Sequence, residues 1–375
     1  MAKFIFITGG VISSLGKGVA SATIAALLKA RGFKVRNRKM DPYLNIDPGT
    51  LSPYQHGEVF VTDDGAETDL DVGHYERYAD NICTHHDSIS SGRIYWNVLN
   101  RERQGGYGGR NIQLIPEITN EVKDFIKSDI KDEDFIIYEV GGTVGEDEGF
   151  IFTEAVRQLI SKIGRDNALL IHLTYVPFFK PSGEIKTKPT QQSVRMLQER
   201  GLAADIILCR SENKIPLAEK KKISMFCNVD KEDVISAPDV KNIYELPLIY
   251  RAEKLDERIL AHFGIADPLP SDLSIWEKVV EQCGKLDRKI TVGMIAKYAS
   301  LADAYKSVVE AIDHAGIANG AKVEIDWISS ETLEGLSDAE VAGRLKNLDA
   351  IIVPGGFGNR GIEGKIAAAK YAREN

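Results

Sequence analysis

The sequence predicts an α/β protein of two domains: a phosphate-loop (P-loop) type, mostly parallel sheet with helices on both faces, then a second α/β domain that is incomplete. Three observations carry this. Apolar runs of strand length near residues 4–8, 135–140, 169–176 and 206–209 alternate with helix-like stretches, the pattern that lays crossover helices over a parallel sheet. The first run enters a glycine-rich turn that opens a helix. Asp267-Pro268-Leu269-Pro270-Ser271 then breaks the pattern, and a fresh strand and helix rhythm begins at Lys289. Length agrees, because 375 residues exceed what a single core usually serves.

Taken in order, Phe4–Thr8 reads as a buried strand, Gly9–Gly18 as the turn, and Val19–Arg31 as a helix closed by Gly32. Phe135–Val140, Leu169–Val176 and Ile206–Cys209 supply further strands of the same sheet. The first domain is placed at residues 1–266 and a linker at 267–288, with a helical stretch around Trp276–Cys283. Residues 289–375 are read as the opening part of the second domain. Its strands are expected at Ile290–Ile295, Val323–Trp327 and Ala350–Val353, with a helix left unfinished at Asn375.

A hydrophobic fraction of 43% with 27% charged residues and no low-complexity tract describes a chain able to bury sizeable cores. The net charge of -8 argues against a general nucleic-acid coat, because phosphate backbones are held by an excess of Lys and Arg. A single nucleotide site needs only local positive charge. Cys83, Cys209, Cys227 and Cys283 follow no metal-ligand or compact disulfide spacing, which suits reduced thiols in the cytoplasm, with Cys209 and Cys227 as core residues. Phe4–Ile7 is too short an apolar run for a signal peptide or a membrane span. A cytoplasmic protein without nucleic-acid or membrane partners is therefore expected.

Gly9-Gly10-Val11-Ile12-Ser13-Ser14-Leu15-Gly16-Lys17-Gly18 stands between a strand and a helix, the setting in which backbone N–H groups and a lysine cradle phosphates. Against the usual G-x-x-x-x-G-K-[ST] loop it has one extra residue, and Gly18 stands where a hydroxyl normally reaches Mg²⁺. Another group must then hold the metal. Glu139, at a strand's carboxyl end and followed by Val140-Gly141-Gly142-Thr143, is favoured, since hard oxygen ligands suit Mg²⁺ and α/β ligands gather at strand carboxyl ends. Asp71, the last acid of the stretch 63–71, is on spacing alone evenly balanced between ligand and solvated charge. Lys39, just after the second expected strand, is placed by position in the crevice of Lys17 and Glu139. Ser182–Ser193, with two lysines and several hydroxyls and amides, offers donors to a second polyanion, although such a loop taken alone is more often plain solvated surface.

Ile7–Gly10, Ser13–Gly18, Asp41-Pro42-Tyr43, Asp47–Thr50, Gln55–Val61, Gly65–Asp71, Gly73–Arg77, Gly141–Gly145 and Lys186–Gln191 resemble the CTP synthase family, and the resemblance runs from Lys3 to the last residue. It implies a ligase that phosphorylates the C4 carbonyl oxygen of UTP with ATP and Mg²⁺. Ammonia, normally released from glutamine, then displaces the phosphate to give CTP. It further implies GTP as an activator and a homo-oligomer, dimer or tetramer. Lys17 and Lys39 would stabilise the transferring phosphoryl group, with Asp71 and Glu139 on Mg²⁺. ATP would be held by Ser13, Ser14, Leu15, Gly16, Lys17, Gly18, Val19 and Asp71, with Arg210, Asp239 and Val240 near its base. UTP would be held by Ser13, Lys186, Thr187, Lys188, Pro189, Thr190, Gln191 and Lys222, and inhibitory CTP would also meet Glu146, Asp147 and Glu148. Pro53, His56 and Val59 resemble the constriction through which ammonia reaches UTP, although for His56 a hydrogen-bonded structural role is comparably open.

The sequence departs from the family pattern at Glu146-Asp147-Glu148, where Asp, an apolar residue and Glu are usual, at Glu117 in place of His, and at Pro238 in place of Lys. Gln104-Gly105-Gly106 lacks the usual Arg and Asp of a loop tied to GTP activation and glutamine coupling. These departures put nucleotide regulation in question and leave the groups expected at the reacting atoms intact. Val353–Gly358 resembles the oxyanion loop of class I glutamine amidotransferases, with Gly355 and Gly356 at its centre. That family's nucleophilic Cys, in a Gly-x-Cys-x-Gly elbow, and its later His and Glu are expected beyond residue 375. Rival readings are another phosphate-loop amidoligase, such as a dethiobiotin or cobyrinic acid amide synthetase, a partitioning-type ATPase switch, and an inactive scaffold.

Overall fold

The computed structural model describes residues 2–266 and 268–375, and the chain forms two compact units, Met1–Pro48 with Val61–Trp276 and Gly49–Phe60 with Glu277–Asn375. Asp267, where the linker is expected to start, lies outside the described residues.

The larger unit is built on seven parallel strands: β1 (Lys3–Gly9), β2 (Val35–Asp41), β3 (Ser88–Ser90), β4 (Phe135–Val140), β5 (Ala168–Tyr175), β6 (Ile206–Ser211) and β7 (Val234–Pro238). Their spatial order is β7-β6-β5-β1-β4-β2-β3, the parallel, doubly covered sheet that the sequence predicts. Phe-Ile-Ile-Tyr-Glu-Val of β4 is buried at every position, as a strand covered on both faces must be. Alternate residues feed separate cores. Ile5, Ile7, Ile137 and Ile171 pack under α1 (Lys17–Lys29), while Phe4, Phe6, Ile136 and Tyr138 pack on the other face with Val122, Ile151 and Phe152. α1 is apolar nearly all round because Leu255, Ile259 and Leu260 cover its outer side. Each fully buried Leu or Ile contributes about 1.5–3 kcal/mol relative to exposure, so the helix leaving the glycine-rich loop is firmly anchored.

Lys39 lies inside β2, not after a strand. Arg36, Asn37, Arg38, Lys39 and Asp41 fill most of β2, and their charge hides the strand from any apolar pattern. Paired charges and hydrogen bonds make the strand tolerable: Arg36 meets Asp87, Lys39 meets Glu139, and Arg38 donates to the Phe125 carbonyl and the Tyr138 hydroxyl. The connection from β1 runs toward β2 and that from β5 toward β6, so the crevice outside the carboxyl ends of β1 and β5 is the switch point at which α/β sheets bind ligands.

In the smaller unit β8 (Arg288–Ala296) lies between β9 (Ala321–Ser329) and β10 (Ala350–Ile352), all parallel. Helices Lys306–Ala318, Asp338–Leu345 and Ile362–Glu374 accompany them. Residues 49–60 belong to this unit through local bonds. Glu58 N–H donates to the Asp303 carbonyl at 2.8 Å, the Ser307 N–H donates to the Glu58 carboxylate, and the Tyr54 ring meets Tyr298 edge-on. Among the described residues no helix is long and apolar enough to cross a membrane.

Candidate functional site

The glycine-rich loop joins β1 to α1 and holds Val11 at φ 81° and Ser14 at φ 55°. A positive φ is an outlier for a β-branched residue, and such strain gathers where a loop is shaped for a ligand. Ser13 and Ser14 are exposed on the loop, whereas Lys17 is buried. Lys17 Nζ donates to the Gly142 carbonyl at 2.9 Å, tying the loop to the turn after β4. Burial pushes its pKa down, with Glu139 pulling it up and Lys39 adding to the fall.

Beside it, Lys39 Nζ donates to Glu139 Oε1 at 2.8 Å and to Asp71 Oδ2. Asp41 and Asp69 stand 3.7 and 3.9 Å from the same nitrogen. Burial opposes the Lys39 charge, but Asp71, Glu139, Asp69 and Asp41 more than offset it and hold its pKa well above the ordinary value. Burial raises the pKa of Glu139, and the Asp71 charge adds to the rise. Asp41 is raised for the same reasons, burial first and then Glu139 and Asp71. Asp71 goes the other way, since Lys39 outweighs its burial and lowers its pKa. The Tyr75 hydroxyl donates to Glu139 Oε2 and fixes that carboxyl group.

Burial and mutual repulsion raise Asp41, Asp69 and Glu139 together, a crowding of carboxyl groups that a divalent cation would relieve. Among the described residues no three acidic, His or Cys side chains form a ready metal cage. Mg²⁺ is commonly held by one or two carboxylates, with water and substrate phosphate completing its shell, so Asp71 and Glu139 fit it as a pair. Asp71 opens α2 (Asp71–Ala79), and its carboxylate lies against the loop so closely that a Cβ on residue 18 would fall 1.9 Å from Asp71 Oδ1. The hydroxyl missing at Gly18 is thus matched by a carboxylate brought to the same place from another helix.

On the far side of the loop, Arg210 donates to the Leu15 carbonyl at 2.9 Å and to Asp239 Oδ1 at 3.0 Å. Leu15, Gly16, Val19, Arg210, Pro238, Asp239 and Val240 line one cleft of about 260 Å³, floored by Leu173 and Tyr250. The residues expected near an ATP base therefore share a cavity that opens beside the phosphate loop.

Much of the basic stretch expected as a loop is helix α3 (Lys188–Glu199), with Pro189 in its first turn. Lys186 and Lys188 are exposed at its start. Gln191 donates to Thr187 Oγ1 at 3.0 Å and Thr190 to Thr174 Oγ1 at 3.1 Å. Lys222 stands exposed on α4 (Leu217–Cys227), which shares a core with α3 through Val194, Ile223 and Cys227. Glu146, Asp147 and Glu148 are exposed, and Arg200, the residue that follows α3, donates to the Gly145 carbonyl at 3.1 Å, which sets their loop against the end of that helix. Gln104 and Gly106 are exposed after helix Ser91–Arg103, and Glu117 accepts from the Gln113 N–H at 3.0 Å.

In the smaller unit Pro53 opens and His56 closes a four-residue helix, and Val59 starts the strand that follows. Gly355 and Gly356 lie in an exposed loop after β10, whose carbonyls are engaged by Lys297 at Phe357 and by Lys365 at Pro354. Sequence reasoning missed Asp41, Asp69, Tyr75 and a buried His172, which joins Thr8 to Ser193. For His172 the signal was a polar residue inside an apolar strand.

A family model described as CTP synthase N-terminus matches residues 3–265, and one described as glutamine amidotransferase class-I matches residues 300–375. A CTP synthase of Azospirillum brasilense is 54% identical over 374 residues, covering 100% of this chain and 68% of that protein. A CTP synthase of Zymomonas mobilis is 54% identical over 375 residues, with 100% and 69% covered. Among solved structures, a putative plasmid partition protein from Borrelia burgdorferi bound to AMPPNP is similar at 14% identity and a TM-score of 0.35, covering 69% of this chain and 98% of that one. A likeness that slight carries no functional weight.

Proposed function

The chain belongs to the CTP synthase family, a family of ligases, and on that premise we propose that it aminates UTP to CTP through a 4-phosphorylated UTP. The observation that carries the proposal is the meeting of Lys17, Lys39, Asp71 and Glu139 beside the phosphate loop, at the carboxyl ends of β1, β2 and β4. ATP lies with its triphosphate along Ser13–Gly18 and its base in the cleft of Arg210, Asp239 and Val240. UTP lies with its phosphates toward Lys186, Lys188, Gln191 and Lys222. The UTP O4 attacks the γ-phosphorus, the bond to the β,γ-bridging oxygen breaks, and ADP leaves. N3 gives up its proton as O4 is phosphorylated; ammonia then adds at C4, gives up one proton, and expels inorganic phosphate.

Mg²⁺, held by Asp71 and Glu139, neutralises charge on the phosphates when bound. Lys17 and Lys39 act on the charge that grows on the transferring group, which is most of what phosphoryl transfer asks of a protein. The reading extends to a cytoplasmic homo-oligomer, dimer or tetramer, with GTP as activator and CTP as inhibitor. Ammonia passes Pro53, His56 and Val59, and Gly355 and Gly356 serve the oxyanion of glutamine hydrolysis. Residues 1–375 hold no Gly-x-Cys-x-Gly elbow, so in this reading they lack the glutaminase nucleophile. The test is an ultraviolet assay of CTP formation from ATP, UTP, Mg²⁺ and ammonium chloride. ATP hydrolysis that ignores UTP would overturn the proposal in favour of an ATPase switch.

A further inference from the structure

We propose that His172 is a positioning residue which, through Thr8 and Ser193, sets where the phosphate loop stands relative to α3 and so how two bound nucleotides meet. The inference rests on the reading above, with ATP on the loop and UTP on α3. His172 is fully buried on β5, directly beside Thr8 in the parallel pairing of β5 with β1. Its Nδ1 lies 2.8 Å from Thr8 Oγ1 and its Nε2 lies 2.8 Å from Ser193 Oγ. Hydroxyl groups both donate and accept, so a neutral ring satisfies both partners in either tautomer. The surroundings impose that neutral form, since burial and then the charge of Lys17 push the His172 pKa down to about 3.

Both ends of the bridge belong to elements that carry nucleotide. Thr8 stands immediately before Gly9-Gly10, and Ser193 lies on the same face of α3 as Thr190, whose hydroxyl reaches Thr174. α3 is therefore pinned to alternate residues of β5, His172 and Thr174. Gly10 completes the joint. A Cβ there would fall 1.7 Å from Ser193 Oγ and 3.3 Å from His172 Nε2, so the loop backbone rests on the hydroxyl that His172 holds. A shift of α3 toward the phosphate loop meets it as a steric contact. In a reaction between two bound groups, misplacement by about 1 Å costs on the order of 100-fold in rate.

The test is ammonia-supported CTP formation by Ser193→Ala, His172→Asn and His172→Gln beside the parent chain. Asn carries its amide near the Nδ1 position and keeps the Thr8 contact, whereas Gln reaches the Nε2 position and keeps Ser193. The expected result is a kcat lowered about 10- to 100-fold in Ser193→Ala and His172→Asn, with KM for each nucleotide within about threefold and partial recovery in His172→Gln. The pH profile keeps its shape. Ser193→Ala, which removes one hydroxyl, carries the test where a buried His172 variant does not fold. The proposal is overturned by variants that match the parent, by a loss of thermal stability with kcat intact, by a UTP KM that rises alone, or by loss of a limb of the pH profile. A parent chain that makes no CTP overturns the function itself, an outcome distinct from these because its bridge is whole.

Discussion

Asp71 and Gly18 fit one another atom against atom, and the fit makes a prediction that the usual phosphate loop would not. Restoring the common hydroxyl with Gly18→Ser puts a Cβ where Asp71 Oδ1 now lies, so the new side chain displaces the carboxylate it was meant to replace. The Mg²⁺ concentration for half-maximal turnover is expected to rise at least about tenfold, the scale lost even when a supporting partner of a metal ligand is removed. Asp71→Asn should behave alike, and the double variant should be no worse than either, since both remove one group. Additive losses in metal titrations would show that Gly18 and Asp71 act separately. Lys17→Ala is expected to lower kcat by about 10²–10³-fold, as loss of one preorganised donor does. Because Lys17 is buried and serves the Gly142 carbonyl, the variant should also lose about 1–3 kcal/mol in denaturant unfolding. Near-normal turnover would sink the phosphate-loop assignment. Lys17 was legible in the sequence because its motif is local. The company around Lys39 was legible only in part: position put Glu139 in its crevice, but Asp69, Asp71 and Tyr75 come to it from a distant stretch of chain, and no spacing records that.

Elements were legible where burial is apolar and obscure where burial is ionic. β1, β4 and β5 announce themselves as continuous hydrophobic runs: the structure extends β1 by one residue at each end, keeps the expected bounds of β4 and shifts β5 by one residue toward its start. β2 does not, because its buried positions are charged and paired. α3 was misread for a different reason. Pro189 looks like a loop stiffener, yet proline suits the first turn of a helix, where its missing N–H has no partner to lose. The correction sharpens what Lys188 does. It stands at the opening of α3, where the N-cap Thr187 makes no side-chain capping bond and the positive end of the helix dipole favours an anion. Lys188→Ala is accordingly expected to raise KM for UTP about tenfold with kcat little changed, the signature of binding lost equally from ground and transition states. Steady-state kinetics with each nucleotide varied in turn decides the matter, and a change confined to ATP would mean that the two nucleotides are reversed.

At the scale of the whole molecule the proposed reading divides the chemistry between the two units, and that division predicts which nitrogen source the 375 residues accept. Three of the four thiols are buried: Cys83, Cys209 and Cys227. Burial pushes the Cys83 thiol up, Cys209 up to about 12 and Cys227 up to about 11, so none offers the thiolate that glutamine hydrolysis needs. Cys283 ends helix Ser274–Cys283 and sits in no strand-to-helix elbow. The groups proposed to hold the nucleotides and Mg²⁺ lie in the larger unit and ask nothing of a thiol. Residues 1–375 are therefore expected to form CTP from ammonium chloride and none from glutamine. Ammonia reacts as the free base, so raising the pH at constant ammonium chloride should raise the rate in step with the unprotonated fraction. Lys39 should not oppose that rise, because its acidic neighbours hold its pKa well above the ordinary lysine value. The measurement compares CTP produced from glutamine and from ammonium chloride at matched pH, with GTP present in both. Glutamine-supported turnover would mean that another nucleophile serves the smaller unit, and an ammonia rate that ignores pH would mean that ammonia is not the species attacking C4.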